Sequence, residues 1–142
     1  MQFKSSLLLL SMGVSQLLTA TNFTVINDTD LDTQVWVQYA DTKQPAQRLQ
    51  KGQTKFYETG FNKVQHVFWQ QQLPRTDDDI KNKRYCLAYY ATNLFDFTFV
   101  ATAGTFRIMS DGQFKFDFNF LGIHIDQKRE PEITCTVVTG FH

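Results

Sequence analysis

The residue types that most often do chemistry are scarce in this 142-residue chain. After residue 20 the only serine is Ser110, and the only cysteines are Cys86 and Cys135. A serine or thiolate nucleophile needs a base within hydrogen-bond reach and a group that orients it. No G-x-S-x-G elbow and no acid–base partner at a recognisable spacing accompanies Ser110. The cysteines are expected to be joined in a disulfide, so neither offers a thiolate. No glycine-rich phosphate loop occurs. We therefore expect no catalytic residue, no cofactor and no enzyme.

Three histidines remain, His66, His124 and His142. His124 stands two residues from Asp126, and His66 with this pair would make a three-ligand metal set. The tight ligand spacing of zinc sites is missing, so we read ordinary surface or edge histidines and no metal. Asp77, Asp78 and Asp79 offer oxygens for calcium, but without the spaced ligands and closing glutamate of a calcium loop. Balanced by Lys81, Lys83 and Arg84, they read as a solvated acidic turn. A carboxylate pair for glycoside hydrolysis would draw on Glu58, Glu130 and Glu132, the chain's only glutamates, and nothing in their spacing points to it.

The tryptophans carry a different chemistry. Trp36 lies between Gln34 and Gln38, and Trp69 shares its side of an alternating run with Gln65, Val67 and Gln71. A flat ring bordered by amides can stack on a sugar while the amides take its hydroxyls. Trp36, Trp69, Gln34 and Gln38 are therefore the candidate glycan contacts, against the alternative that a neighbouring loop or sheet shields both rings.

These side chains must be positioned by strands. Between Phe95 and Phe120 phenylalanine recurs at every second residue in two runs, 95–99 and 114–120, the period of a strand with one apolar face. Phe95, Phe97 and Phe99 form one set, Phe106 and Ile108 a second, and Phe114, Phe116, Phe118 and Phe120 a third. A two-residue loop at Asp111-Gly112 would put Lys115 on the face of Ile108. A three-residue loop, Ser110–Gly112, pairs Ile108 with Phe114 and Phe106 with Phe116 instead, and Gly112 supplies its left-handed residue. A four-residue loop from Ala101 to Gly104 would likewise pair Phe99 with Phe106. The three runs read as a meander whose apolar face is covered by the other strands or holds a lipid-like ligand. Covering is expected, because a short chain needs its largest apolar surface for folding.

The other strands are expected at Phe23–Asn27, Gln34–Tyr39, Thr54–Glu58, Val64–Gln71, Tyr85–Ala91 and Glu132–Thr139. Polar loops are expected at Asp41–Gln47, Gln72–Arg84 and Gly122–Pro131, with Ile123–Ile125 as an extension of the strand before it. About eight or nine short strands without helical periodicity read as an all-β antiparallel sandwich, with a small β-barrel as the alternative.

Residues 1–20 combine Lys4, the apolar run Leu7–Leu18 and a small residue at Ala20, the pattern of a secretory signal peptide, leaving 21–142 as a single all-β domain. Without residues 1–20 the chain holds 13 basic and 14 acidic residues, a net charge of −1, so no basic surplus points to nucleic acid or an anionic membrane. No second apolar run is long enough for a membrane span. Export favours a Cys86–Cys135 disulfide between two strands, closing a loop of about 49 residues worth ~4 kcal/mol in the chain-entropy model. The expected location is secreted or extracytoplasmic, the periplasm if the source is a Gram-negative bacterium. In a eukaryote, Asn22-Phe23-Thr24 and Asn27-Asp28-Thr29 would be N-glycosylation sequons, with Asn27 the better placed acceptor.

F-T-V-I-N-D-T at Phe23–Thr29, Q-V-W-V at Gln34–Val37 and L-Q-K-G-Q at Leu49–Gln53 resemble the opening strands of thaumatin-like proteins over roughly a quarter of the chain. The many cysteines of that family are missing, and no function is carried over. The expected function is binding of a protein or glycan partner. The alternatives are carriage of a small apolar ligand in a Phe-lined cavity and, last, carboxylate-dependent hydrolysis.

Overall fold

Alternation turns Phe23, Val25 and Asn27 of the first strand inward, and the same rule places the core of the whole protein. The computed structural model describes residues 22–60, 62–94, 104–117 and 124–138. Two packed, mostly antiparallel sheets form an all-β sandwich. The first sheet runs in the order β10 (His124–Lys128), β9 (Gln113–Asp117), β8 (Gly104–Ile108), β1 (Asn22–Asn27), β5 (Thr54–Glu58). The second runs β11 (Glu132–Val137), β7 (Arg84–Asn93), β6 (Val64–Gln72), β2 (Thr33–Tyr39), β3 (Thr42–Lys43), with β4 (Gln47–Leu49) also on β2.

The facing rings fill the space between the sheets. Phe106 stacks on Phe114 at 4.9 Å, and Phe23 on Phe116 at 5.6 Å. From the opposite sheet Trp69 meets Phe106 edge-on at 5.5 Å and stacks on Tyr90 at 5.2 Å. Val35, Val37, Val67 and Ala88 close the second sheet's inner side.

The hairpin register follows the polarity of Lys115. Ile108 faces Phe114 and Phe106 faces Phe116, and the Met109 N–H donates to the Gln113 carbonyl across a three-residue loop. Both Asp111 and Gly112 adopt positive φ, at 59° and 78°. Gly112 also lacks room for a side chain, because a Cβ there would overlap the Arg129 carbonyl and the Tyr90 ring.

The three-stranded meander is corrected. β8 has β9 on one side and β1, running parallel, on the other, so Val25 occupies the flank of Phe106 expected for Phe99. Phe95, Phe97, Phe99, Phe118 and Phe120 lie outside the described residues. The expected loop at Gly122–Pro131 contains a separate strand, β10, antiparallel to β9. Its H-I-D-Q-K sequence buries only part of Ile125, so it carries no apolar pattern to read. The Asp41–Gln47 loop likewise contains β3 and begins β4.

The Gln72–Arg84 loop contains the helical turn α1 (Asp77–Lys81), which the absence of helical periodicity hid. Thr76 and Asp79 form a capping box: the Asp79 N–H donates to Thr76 Oγ1 at 3.1 Å, and the Thr76 N–H to Asp79 Oδ2 at 3.0 Å. Arg84 donates from Nε to Asp79 Oδ1 at 2.9 Å and from Nη2 to Asp78 Oδ2 at 3.0 Å. The acidic run is therefore a helix start, where negative charge is favoured by the helix dipole. The Thr76 N–H first, and then Arg84, hold the Asp79 carboxyl below its ordinary value of 3.8. A depressed folded-state pKa gives stabilisation that is full above the ordinary value and lost as pH falls through the lowered one. Amide exchange in α1 is expected to accelerate, relative to the core strands, below pH 3.8. An Asp79→Asn variant should lack that step.

Candidate functional site

Among the described residues no other sheet covers the outer face of the second sheet, and its strands place aromatic and amide side chains there in rows. Outward positions are Gln34, Trp36 and Gln38 on β2, His66, Phe68, Gln70 and Gln72 on β6, and Leu87, Tyr89, Ala91 and Asn93 on β7. Strand register aligns them: Trp36 is opposite Phe68, Gln34 opposite Gln70, and Gln70 opposite Tyr89. Cross-strand neighbours stand ~5 Å apart and successive outward residues about 7 Å apart. The result is an aromatic band crossing three strands, bordered by glutamines.

Ring geometry makes the band continuous. Phe68 stacks on Tyr89 at 6.1 Å and on His66 at 5.4 Å, and Trp36 lies 6.5 Å from Tyr89. All four are half-buried, each ring supported by its neighbours with part of its surface in solvent. Lys43 reaches over the band, its Nζ 4.5 Å from the Phe68 centroid and 5.4 Å from that of Trp36, within cation–π range. A tight turn at Ala40-Asp41, both with positive φ, folds β3 back and delivers this lysine. Gln65, at the bulge in β6, clamps the turn: its Nε2 donates to Asp41 Oδ1 at 2.6 Å, and its Oε1 accepts from the Asp41 N–H at 3.1 Å.

Beside the aromatics the face dips into a groove of about 330 Å³ lined by Gln34, Gln70, Gln72 and Leu87. Arg48 closes one end, ion-paired with Asp32. The amides present both donors and acceptors there. Burial first, and the Glu132 carboxylate second, push the Tyr89 phenol above its ordinary value.

Among the four residues singled out as glycan contacts, Trp36, Gln34 and Gln38 share this face. Gln34 is exposed beside the groove, and Gln38 donates to Gln65 Oε1 at 3.3 Å. Trp69 does not join them: it is 0% exposed and points into the core. Its neighbour Gln71 is also buried, donating to Thr29 Oγ1 at 3.0 Å and Thr33 Oγ1 at 2.9 Å. An amide beside a tryptophan marked solvent on one strand and an internal hydrogen-bond network on the other. Phe68, Tyr89, Gln70 and Gln72 were missed. The alternation of β6 was legible, but its apolar residues occur on both faces, and the bulkier ring was assigned to the wrong side.

The remaining candidates separate. His124 and Asp126 are on β10 at the edge of the first sheet, with Nε2 and Oδ2 3.5 Å apart, whereas His66 is on the outer face of the second. Among the described residues, no group of three or more His, Cys, Asp or Glu side chains is placed to hold a metal ion. Cys86 and Cys135 form a disulfide between directly opposed positions of β7 and β11. Asn27, expected as the glycan acceptor, is 0% exposed. Its Nδ2 donates to the Leu31 and Leu49 carbonyls at 2.8 and 2.9 Å, which leaves no place for a sugar on that nitrogen. Asn22 begins β1, with its backbone opposite Glu58, and its side chain lies outside the described residues.

No helix among the described residues is long and apolar enough to cross a membrane. A scan against protein-family models finds no match, and a search of curated proteins returns no significant relative.

Proposed function

We propose that this is a secreted or extracytoplasmic binding protein that takes a saccharide on the outer face of its second sheet and performs no catalysis. One observation carries the proposal: Trp36, Phe68 and Tyr89 form a solvent-reaching aromatic band flanked by Gln34, Gln70 and Gln72. The C–H faces of a pyranose stack on such rings, and its hydroxyls exchange hydrogen bonds with amides in the plane beside them. The arrangement is largely preformed, because neighbouring rings brace one another and the β2–β3 turn is clamped by Gln65, so little ordering cost falls on binding. The disulfide fits an oxidising compartment. The described core phenylalanines stack on one another along the first sheet and meet Trp69 of the second sheet edge-on, so nothing in them favours an apolar cargo.

The test is a glycan array followed by titration calorimetry on the strongest hit. Trp36→Ala should weaken binding by at least about tenfold, ~1.4 kcal/mol, and leave the fold intact because this ring is outside the core. Phe68→Ala should weaken it as well. A native protein that binds no glycan, or a Trp36→Ala variant that binds as tightly as the native one, would overturn the proposal.

A further inference from the structure

The edges of the two sheets are not protected alike. In the first sheet β10 carries Asp126 and Lys128, and β5 carries Lys55 and Glu58. In the second sheet the β3 edge is two residues long. Charges and short length are the usual guards of a strand edge. β11 is six residues long and, past Glu132 at its start, Ile133–Val137 holds no charge, proline or bulge, and every residue of the strand is exposed. Ile133 and Val137 lie on the same side of the sheet as Cys135 and the core residue Ala88, yet are 55% and 54% exposed. Among the described residues, the first sheet does not reach over them.

The direction of the open backbone groups can be derived. Cys86 and Cys135 are opposed with Cα atoms 4.0 Å apart, the close spacing of a pair that exchanges no hydrogen bonds. Three residues on, the Val138 N–H donates to the Lys83 carbonyl at 2.7 Å. Residues alternate, so Glu132, Thr134, Thr136 and Val138 turn their backbone toward β7. Ile133, Cys135 and Val137 turn theirs toward the outer edge, where no strand among the described residues pairs with β11.

We propose that a second copy of this chain pairs with β11 across a two-fold axis at Cys135, joining the two second sheets into one. Only a register that sets odd residues against odd residues satisfies the outward groups. The one centred on Cys135 also sets Ile133 of each copy against Val137 of the other. Three hydrogen-bonded pairs then give about six bonds between the chains. On the opposite side Thr134 meets Thr136, and no like charges are opposed. The overhang of β11 beyond the first sheet leaves room for the partner's Ile133 and Val137. Occupancy by a second copy is favoured because this strand complements itself under a two-fold axis, as isologous interfaces require. The dimer would also bring two copies of the outer face onto one continuous surface, but pairing does not depend on what that face binds.

The experiment is sedimentation velocity on the native, oxidised protein over a dilution series, without any glycan. A reversible monomer–dimer equilibrium is expected. Ile133→Lys, at an exposed position, should raise the dissociation constant by at least about tenfold. The double variant Ile133→Lys, Val137→Glu should restore association, because this register sets each lysine against a glutamate of the partner. A native protein that remains monomeric up to roughly 1 mM overturns the proposal and leaves the edge to a strand of another protein. A dimer unaffected by Ile133→Lys overturns it as well. Failure of the double variant to recover association overturns the Ile133–Val137 register.

Discussion

Replacing Asn27 with alanine is expected to lower the unfolding free energy by roughly 3–5 kcal/mol, measured by urea titration. The side chain is at the end of β1 and ties three separate pieces of chain. Its Nδ2 bonds to the Leu31 and Leu49 carbonyls, and its Oδ1 accepts from the Thr29 N–H at 3.1 Å and from Thr29 Oγ1 at 2.7 Å. Thr29 and Thr33 in turn receive hydrogen bonds from Gln71 of the second sheet. The network therefore joins both sheets at one end of the sandwich, and its side chains are shielded from water. Each net hydrogen bond contributes about 1 kcal/mol, and each buried partner left unpaired costs about 1–3 kcal/mol. Removing a shared centre should cost more than any one bond, because polar networks are cooperative. Asn27→Asp is expected to be comparably harmful: it keeps the acceptor but faces two carbonyls with a carboxylate. If the protein is made in a glycosylating host, its mass should show no glycan at Asn27. A folded, fully glycosylated Asn27, or an alanine variant as stable as the native chain, would contradict this account.

Asn27-Asp28-Thr29 carries two readings at once. Asn-Asp-Thr is a glycosylation signal and also the sequence of an Asx turn, in which asparagine accepts from the backbone two residues on. The second use is what the fold selects, since the Thr29 N–H donates to Asn27 Oδ1. Local spacing cannot distinguish the two, because the difference lies in whether Leu49 comes near. That contact spans 22 residues.

What was legible depended on local constraints. The Ile108–Phe114 and Phe106–Phe116 pairs follow from Lys115 needing water and Gly112 accepting a left-handed backbone. The disulfide followed from two cysteines in strand-like runs. The parallel neighbour of β8 was not legible. Phe23 and Val25 alternate identically whichever strand lies beside them, and a parallel pairing across about 80 residues leaves no turn sequence to read. Thr76-x-x-Asp79 was legible as a capping box and was passed over because a helix of one turn has no periodicity. The proposed binding face was half legible. Trp36 between two glutamines gave one strand of it, but Phe68 and Tyr89 join it only through the β2–β6–β7 register.

Removing the disulfide, by Cys86→Ala with Cys135→Ala, is expected to cost ~4 kcal/mol of global stability by the chain-entropy model for a loop of about 49 residues. The loss should also have a location. β11 has no buried residue of its own, and in the described structure it meets the sheet through the β7 ladder and this bond. Backbone ladder bonds at an exposed edge are the first to open in native-state fluctuations. The reduced-type variant should therefore exchange the amides of Thr134, Thr136 and Val138 much faster than the native protein, while Val35, Val37 and Val67 lose protection only by global unfolding. Urea titration and residue-resolved hydrogen exchange separate the two effects. A drop in midpoint with unchanged β11 protection would mean that the ladder holds the edge unaided and the bond acts only on the unfolded chain. Faster exchange with no drop in midpoint would mean that the entropic term is absent and the disulfide only pins the edge. Both effects are expected together, because the bond that shortens the unfolded chain's loop is also the one covalent tie on an edge strand with nothing buried.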